Sequence, residues 1–309
     1  MKTAFVFPGQ GSQYPGMGRD ICEQHETARR VFQEADDALG FSLSQLCFEG
    51  PEESLKLTEN TQPAILTVSV ALWRVLEERG VRPDYVAGHS LGEYSALVAA
   101  GGVRFADAVR LVRRRGRYMQ EAVPVGVGAM AAILGLDLAA VDSVCASAAA
   151  GDIVRPANLN SPTQVVIAGH TGAVERAVAL AKEAGAKRAI MLAVSAPFHC
   201  ELLEPAAARL AVDLDAIELG NLRCPLVTNV DAQPITDAVA ARDGLKRQVA
   251  RPVRWSESVR RMLDDGAGTF VEIGPGKVLT GLIRAMDKTA RTFNVEDEKS
   301  LENALNGLL

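Results

Sequence analysis

Asp84-Tyr-Val-Ala-Gly88-His-Ser90-Leu-Gly92-Glu-Tyr-Ser-Ala-Leu-Val98 joins a strand-like run to a helical one through a five-residue G-x-S-x-G turn. In that context the two glycines allow a tight, strained turn, and the hydroxyl of Ser90 projects at the N-terminus of a helix, where peptide dipoles favour developing negative charge. Without the flanking strand and helix, the same five residues read as an ordinary glycine-flanked turn. Their presence makes Ser90 a candidate nucleophile.

Working outward, strand-like runs alternate with amphipathic stretches: strand 3–7, helix 19–38, helix 62–78, strand 84–88 and helix 91–100. Asn60, Thr61, Gln62 and Pro63 read as the polar cap and early proline of the second helix. The last third repeats the theme with strands at 225–230, 269–273 and 291–295. Alternation of this kind predicts a parallel sheet covered by helices, an α/β fold. The middle differs. After the Gly126 and Gly128 boundary the order is strand 129–134, helix 137–149, strand 153–158, strand 164–168, helix 172–184, strand 188–194, closing at Ser195-Ala-Pro197. This is the β-α-β-β-α-β order of a ferredoxin-like unit. The expected organisation is therefore a large α/β domain from 1–125 and 197–309, with an inserted ferredoxin-like subdomain at 126–196.

At 309 residues, 48% hydrophobic and 23% charged, the composition is that of a packed globular protein. A net charge of −5 argues against a general nucleic-acid binder, and the densest basic stretch (Arg110, Arg113, Arg114, Arg115, Arg117) has helical spacing. The five cysteines are widely spaced, with no C-x-x-C pair and no metal-ligand spacing of histidines, which points to a reducing cytoplasm and no metal. No apolar stretch reaches membrane-spanning length, and no signal segment opens the chain.

A serine hydroxyl needs a base, and there are four histidines. His25 lies in a polar helical stretch and reads as solvent-facing. His89 adjoins the serine on a turn, where neighbouring side chains diverge. His170 follows a strand in the insertion. His199, where the chain returns to the large domain, is the strongest candidate base. No Asp or Glu between Ser90 and His199 stands in a triad context, so the group that orients the base is left open. The loop from Phe7 to Gln13 fails as a dinucleotide fingerprint and reads either as a strand-to-helix turn or as a source of oxyanion-holding amides. Gly274-Pro-Gly-Lys277 imitates a phosphate loop, but Val271 and Val278 stand where glycine and Ser/Thr are required, which argues against nucleotide hydrolysis.

Taken in order, Phe-Pro-Gly-Gln-Gly-Ser-Gln (7–13), Gly-His-Ser-Leu-Gly-Glu-Tyr (88–94), Arg-Gly-Arg-Tyr-Met-Gln (115–120), Asn-Leu-Asn-Ser-Pro (158–162), Phe-His-Cys (198–200) and Glu-Ile-Gly-Pro-Gly (272–276) resemble the bacterial malonyl-CoA:acyl carrier protein transacylases. The resemblance implies an α/β-hydrolase-like domain carrying the ferredoxin-like insertion. It implies Ser90 as nucleophile, His199 as base oriented by the main-chain carbonyl of Gln248, and the amides of Gln10 and Leu91 as oxyanion hole. Arg115 would grip the malonyl carboxylate, a task suited to a planar guanidinium fork. Phe198, Asn158 and Asn160 would complete the substrate site.

The implied reaction moves malonyl from malonyl-CoA to the phosphopantetheine thiol of acyl carrier protein, by a ping-pong route through a malonyl-Ser90 ester, for type II fatty acid synthesis. No permanently bound cofactor is implied. An acidic carrier docking on a net-negative chain directs attention to local cations, with Arg155, Lys187, Arg188 and Lys277 as candidates. Competing readings are a discrete acyltransferase serving a polyketide synthase, a serine esterase or thioesterase, and a non-catalytic carrier-binding protein.

Overall fold

The computed structural model describes residues 2–194 and 196–308; Ser195, at the expected end of the insertion, lies outside them. In chain order the strands are β1 (Lys2–Phe7), β2 (Tyr85–Gly88), β3 (Gly128–Leu134), β4 (Val154–Ser161), β5 (Gln164–His170), β6 (Arg188–Met191), β7 (Leu226–Val227), β8 (Pro234–Ile235), β9 (Ala267–Ile273) and β10 (Arg291–Val295). They form a sheet ordered β10-β9-β1-β2-β7-β8 and a second ordered β4-β5-β3-β6.

In the larger sheet β10, β9, β1, β2 and β7 run parallel, and only β7 with β8 is antiparallel. Ala4, Phe5, Val6 and Phe7 of β1 are all fully buried. A central parallel strand has helices on both faces, which is why this run is continuously apolar rather than alternating. The helix Thr58–Glu78 packs beside helix Phe105–Glu121 on one face. The smaller sheet is antiparallel, carries helices Leu138–Ala149 and Thr171–Glu183, and encloses its own apolar cluster around Ile133, Val141, Val165 and Val174. Its strand order is that of a ferredoxin-like unit, as the sequence order predicts.

Several expected elements change. Helix 19–38 breaks at His25, which is extended (φ −122°) between helices Arg19–Gln24 and Glu26–Leu39. His25 is not solvent-facing: its Nε2 lies 2.7 Å from a carboxylate oxygen of Glu298, near the far end of the chain. The helix expected from Gln62 begins at Thr58 and carries Pro63 inside it. The polar residues read as its cap donate backwards instead, Asn60 Nδ2 to the Ser54 carbonyl (3.0 Å) and Thr61 Oγ1 to that of Leu55 (2.5 Å). Strand 225–230 shortens to Leu226–Val227, and Asn229 leaves the ladder to turn beneath the serine.

The loop resembling a phosphate site is a strand-to-helix turn whose anion position is filled from within. Buried Glu272 accepts from the amides of Leu279 (3.0 Å) and Thr280 (2.7 Å), so the helix N-terminus that would hold phosphate already holds a carboxylate.

Candidate active site

β2 ends at Gly88 and helix Gly92–Ala99 begins four residues on, leaving room only for a sharp turn. A Cβ on Gly88 would lie 1.9 Å from the Gly92 carbonyl carbon, and one on Gly92 would lie 2.0 Å from the Phe7 carbonyl oxygen. Neither position admits a side chain, because strand, turn and helix are in backbone contact. Ser90 itself sits at φ +51°, a conformation that costs a residue with a Cβ about 1–3 kcal/mol. That strain is held in place by two hydrogen bonds: the Ser90 amide donates to Asn229 Oδ1 (2.7 Å) and the Ser90 carbonyl accepts from Gln248 Nε2 (2.8 Å).

His199, also at positive φ (+62°), places Nε2 2.7 Å from Ser90 Oγ. Its Nδ1 lies 2.9 Å from the main-chain oxygen of Gln248. A carbonyl only accepts, so Nδ1 carries the proton and Nε2 is left unprotonated toward the serine. This imidazole is thus oriented without a carboxylate. Burial, with the Arg115 charge adding to it, pushes the imidazole pKa down to about 3. His199 is therefore neutral at physiological pH, ready to take a proton.

An activity profile would mix this group with Glu93, whose carboxyl burial pushes up to about 7. The imidazole resonances of His199 isolate it. They are expected to show no titration between about pH 8 and pH 5; a midpoint near the ordinary histidine value of about 6.5 would contradict the buried, neutral assignment. The unfolded chain binds this proton at a higher pH than the native one does. The contribution of His199 to stability therefore falls as pH drops below about 6.5 and keeps falling toward its native value.

Arg115 alone of its arginine-rich run is fully buried, 1% exposed. Its Nη1 donates to Gln62 Oε1 (2.8 Å), and its Nη2 donates to Gln248 Oε1 (2.9 Å) and to Ser90 Oγ (3.0 Å). One hydroxyl thus lies between an imidazole that can accept its proton and a guanidinium that can hold an anion beside it.

These groups face a cavity of about 640 Å³ between the two sheets. Gln10, Ser90, Leu91, Arg115, Asn158, Phe198 and His199 line it, with Met119, Met130 and Leu192 as apolar wall. Among the described residues, the amides of Gln10 and Leu91 have no hydrogen-bond acceptor, and both residues border the space beside Ser90 Oγ. Gln248 lies behind this lining. So does Asn160, whose Oδ1 is 2.8 Å from Nε2 of His89: the histidine beside the serine faces the smaller sheet, not the hydroxyl. His170 accepts from the Ile153 amide (3.0 Å) within the insertion. No cluster of three or more metal-ligating side chains occurs among the described residues.

An acyl transferase domain model matches residues 4–303. Malonyl CoA-acyl carrier protein transacylases of Escherichia coli K12 and Bacillus subtilis are 52% and 50% identical, over 98% and 99% of this chain and 98% and 97% of theirs. The chain belongs to this acyltransferase family. An acyl carrier protein S-malonyltransferase from Vibrio cholerae superposes with a TM-score of 0.96 at 50% identity, covering 98% of this chain and 100% of that one. A malonyl-transacylase solved in complex with a type II PKS acyl-carrier protein superposes at 0.97 with 51% identity, covering 99% of this chain and 100% of that one.

Three members of this acyltransferase's site carry no sequence signal of their own or a faint one. Gln62 was expected only at a helix start. Asn229 lay inside an expected strand. Glu93 follows the serine motif within an otherwise apolar run, where an unpaired acid is out of place, and that oddity is the one available hint. It is 1% exposed and accepts from Gln248 Nε2 (2.8 Å) and the Asn229 amide (3.2 Å).

Proposed function

We propose that this acyltransferase carries malonyl from coenzyme A to the phosphopantetheine thiol of an acyl carrier protein, by a ping-pong route through an ester on Ser90, in type II fatty acid synthesis. The observation that carries this reading is the sharing of Ser90 Oγ between His199 Nε2 and Arg115 Nη2 in one buried cleft. A general esterase has no use for a buried guanidinium at its nucleophile, whereas a dicarboxylic acyl group needs its free carboxylate held.

In the first half-reaction His199 Nε2 takes the Ser90 proton as Oγ attacks the thioester carbonyl. The amides of Gln10 and Leu91 hold the oxyanion, each such donor being worth about 10²–10³ in rate. The C–S bond breaks, the proton passes from His199 to the departing thiolate, and a malonyl ester remains. Asn158 and Phe198 border the acyl group. The carrier thiol, deprotonated by His199, then attacks the ester, and Ser90 regains its proton.

Lys187, Arg188 and Lys277 are exposed, while Arg155 is tied to Glu201 at 3.3 Å; the first three are the better supported docking cations for an acidic carrier. Among the described residues no helix is long and apolar enough to cross a membrane, and the cysteines are free thiols, which suits a cytoplasmic setting. The carrier complex among the structural relatives favours a second reading, service to a polyketide carrier. Competition between the two carriers for one malonyl pool separates the readings.

The test is initial-rate kinetics with malonyl-CoA and holo-carrier protein varied together. Parallel double-reciprocal lines with one malonyl-carrier formed per coenzyme A released are expected. Intersecting lines, or free malonate released without carrier, would overturn the route.

A further inference from the structure

Resting on that reading, we infer that Glu93 is a positioning residue for acyl selectivity: it sets which end of the Gln248 side-chain amide faces Arg115. Gln248 Nε2 meets three acceptors, the Ser90 carbonyl (2.8 Å), Glu93 Oε2 (2.8 Å) and, more weakly, Asn229 Oδ1 (3.3 Å). Its Oε1 then has one direction left, toward Arg115 Nη2 at 2.9 Å. A flipped amide would set Oε1 against a carboxylate and two oxygens, and an N–H against a guanidinium.

Glu93 is the only ionisable member of that acceptor set, and its carboxylate form contributes most to the choice. Asn229 braces the same carboxylate through its amide (3.2 Å) while its side chain ties the strained turn at the Ser90 amide (2.7 Å) and the Gly88 carbonyl (2.6 Å). The chain of polarity therefore runs from Glu93 through the Gln248 amide to Arg115, and from Arg115 to the position a malonyl carboxylate would take. A residue that merely filled this space would be apolar, because an isolated buried acid is costly. The main-chain oxygen of Gln248, which holds His199, belongs to a helix end and does not depend on this amide. Glu93 therefore reaches the cargo through Arg115, while the Ser90 turn keeps its own bonds to Gln248 Nε2 and Asn229 Oδ1 and the His199 Nδ1 contact keeps the Gln248 main-chain oxygen.

The test compares malonyl-CoA and acetyl-CoA as donors for wild-type protein, Glu93→Met, Glu93→Gln, Gln248→Ala and the Glu93→Met/Gln248→Ala double variant. Folding is followed by circular dichroism and Ser90 by labelling with a fluorophosphonate. Loss of one charge-assisted hydrogen bond predicts a fall of about 10–100-fold in kcat/KM for malonyl-CoA in Glu93→Met, mostly through KM, with a smaller fall for acetyl-CoA. Glu93→Gln keeps an acceptor and recovers most of the loss. In Glu93→Met, where the Ser90 carbonyl still accepts from Gln248 Nε2, Ser90 labels as in the wild type, and the double variant is little worse than Gln248→Ala, since both changes break one path.

Equal losses on both donors, losses that multiply in the double variant, or an unimpaired Glu93→Met would overturn the inference. Should Glu93→Met fail to fold, Gln248→Glu decides. It opposes two carboxylates and should lose malonyl selectivity, and adding Glu93→Gln should restore part of it; no restoration overturns the inference. Wild-type protein that transfers no malonyl group would sink the functional reading and this inference together, whereas an active wild type with uniform losses sinks the inference alone.

Discussion

Replacing Arg115 with alanine is expected to lower kcat/KM for malonyl transfer by about 10²–10⁴, the loss of two charge-assisted hydrogen bonds worth about 1.5–3 kcal/mol each in a water-poor site. Acetyl transfer is expected to fall by less than about tenfold, because an acetyl group offers nothing for the fork to hold. The side chain has no solvent-exposed alternative: it is buried and anchored by Gln62 and Gln248 at its two terminal nitrogens. Lysine would keep the charge and lose the fork, so Arg115→Lys should sit nearer to alanine than to wild type. Parallel initial-rate assays with both donors check this, and equal losses would remove Arg115 from selecting the cargo.

Ser90→Ala is expected to reduce transfer of either acyl group by about 10⁴–10⁶, on the scale of losing a serine nucleophile elsewhere. Stability should change little. The turn is imposed by the contacts of Gly88 and Gly92 and by bonds to the Ser90 main chain, all of which alanine retains. Arg115 Nη2 also keeps Gln248 Oε1 when the hydroxyl is gone. A variant that folds with an unchanged thermal midpoint and yet transfers malonyl at more than about a hundredth of the wild-type rate would show that another group carries the acyl chain.

How far the chain could be read in advance follows from how local each feature is. The serine turn is local: two glycines, a strand before and a helix after lie within one short stretch, and the backbone contacts at Gly88 and Gly92 explain why no other residue serves there. The insertion was legible for the same reason, since its strand and helix periodicities follow one another without interruption and end in the expected sheet order. The break at His25 was not legible, because its partner Glu298 is 273 residues away. Asn229 read as one more strand residue, and nothing near it in sequence says that it will hold a turn 139 residues earlier.

Gln248 shows an intermediate case. Family resemblance pointed to its main-chain oxygen, which lies 2.9 Å from His199 Nδ1; its side-chain amide, bridging Glu93 and Arg115, came only from the packed structure. Side chains that act on each other through a third residue leave no periodic trace, and so the second half of the site had to be seen rather than read.

An acyl group carried on Ser90 between two thiols is an ester that can be trapped. Brief incubation with malonyl-CoA, acid quenching, proteolysis and peptide mass mapping test this role of Ser90 most directly. One malonyl group per chain is expected on the peptide containing Ser90, absent from Ser90→Ala and discharged when holo-carrier protein is added before the quench. A malonyl group on any other residue, or a Ser90 ester that only water removes, would contradict that role.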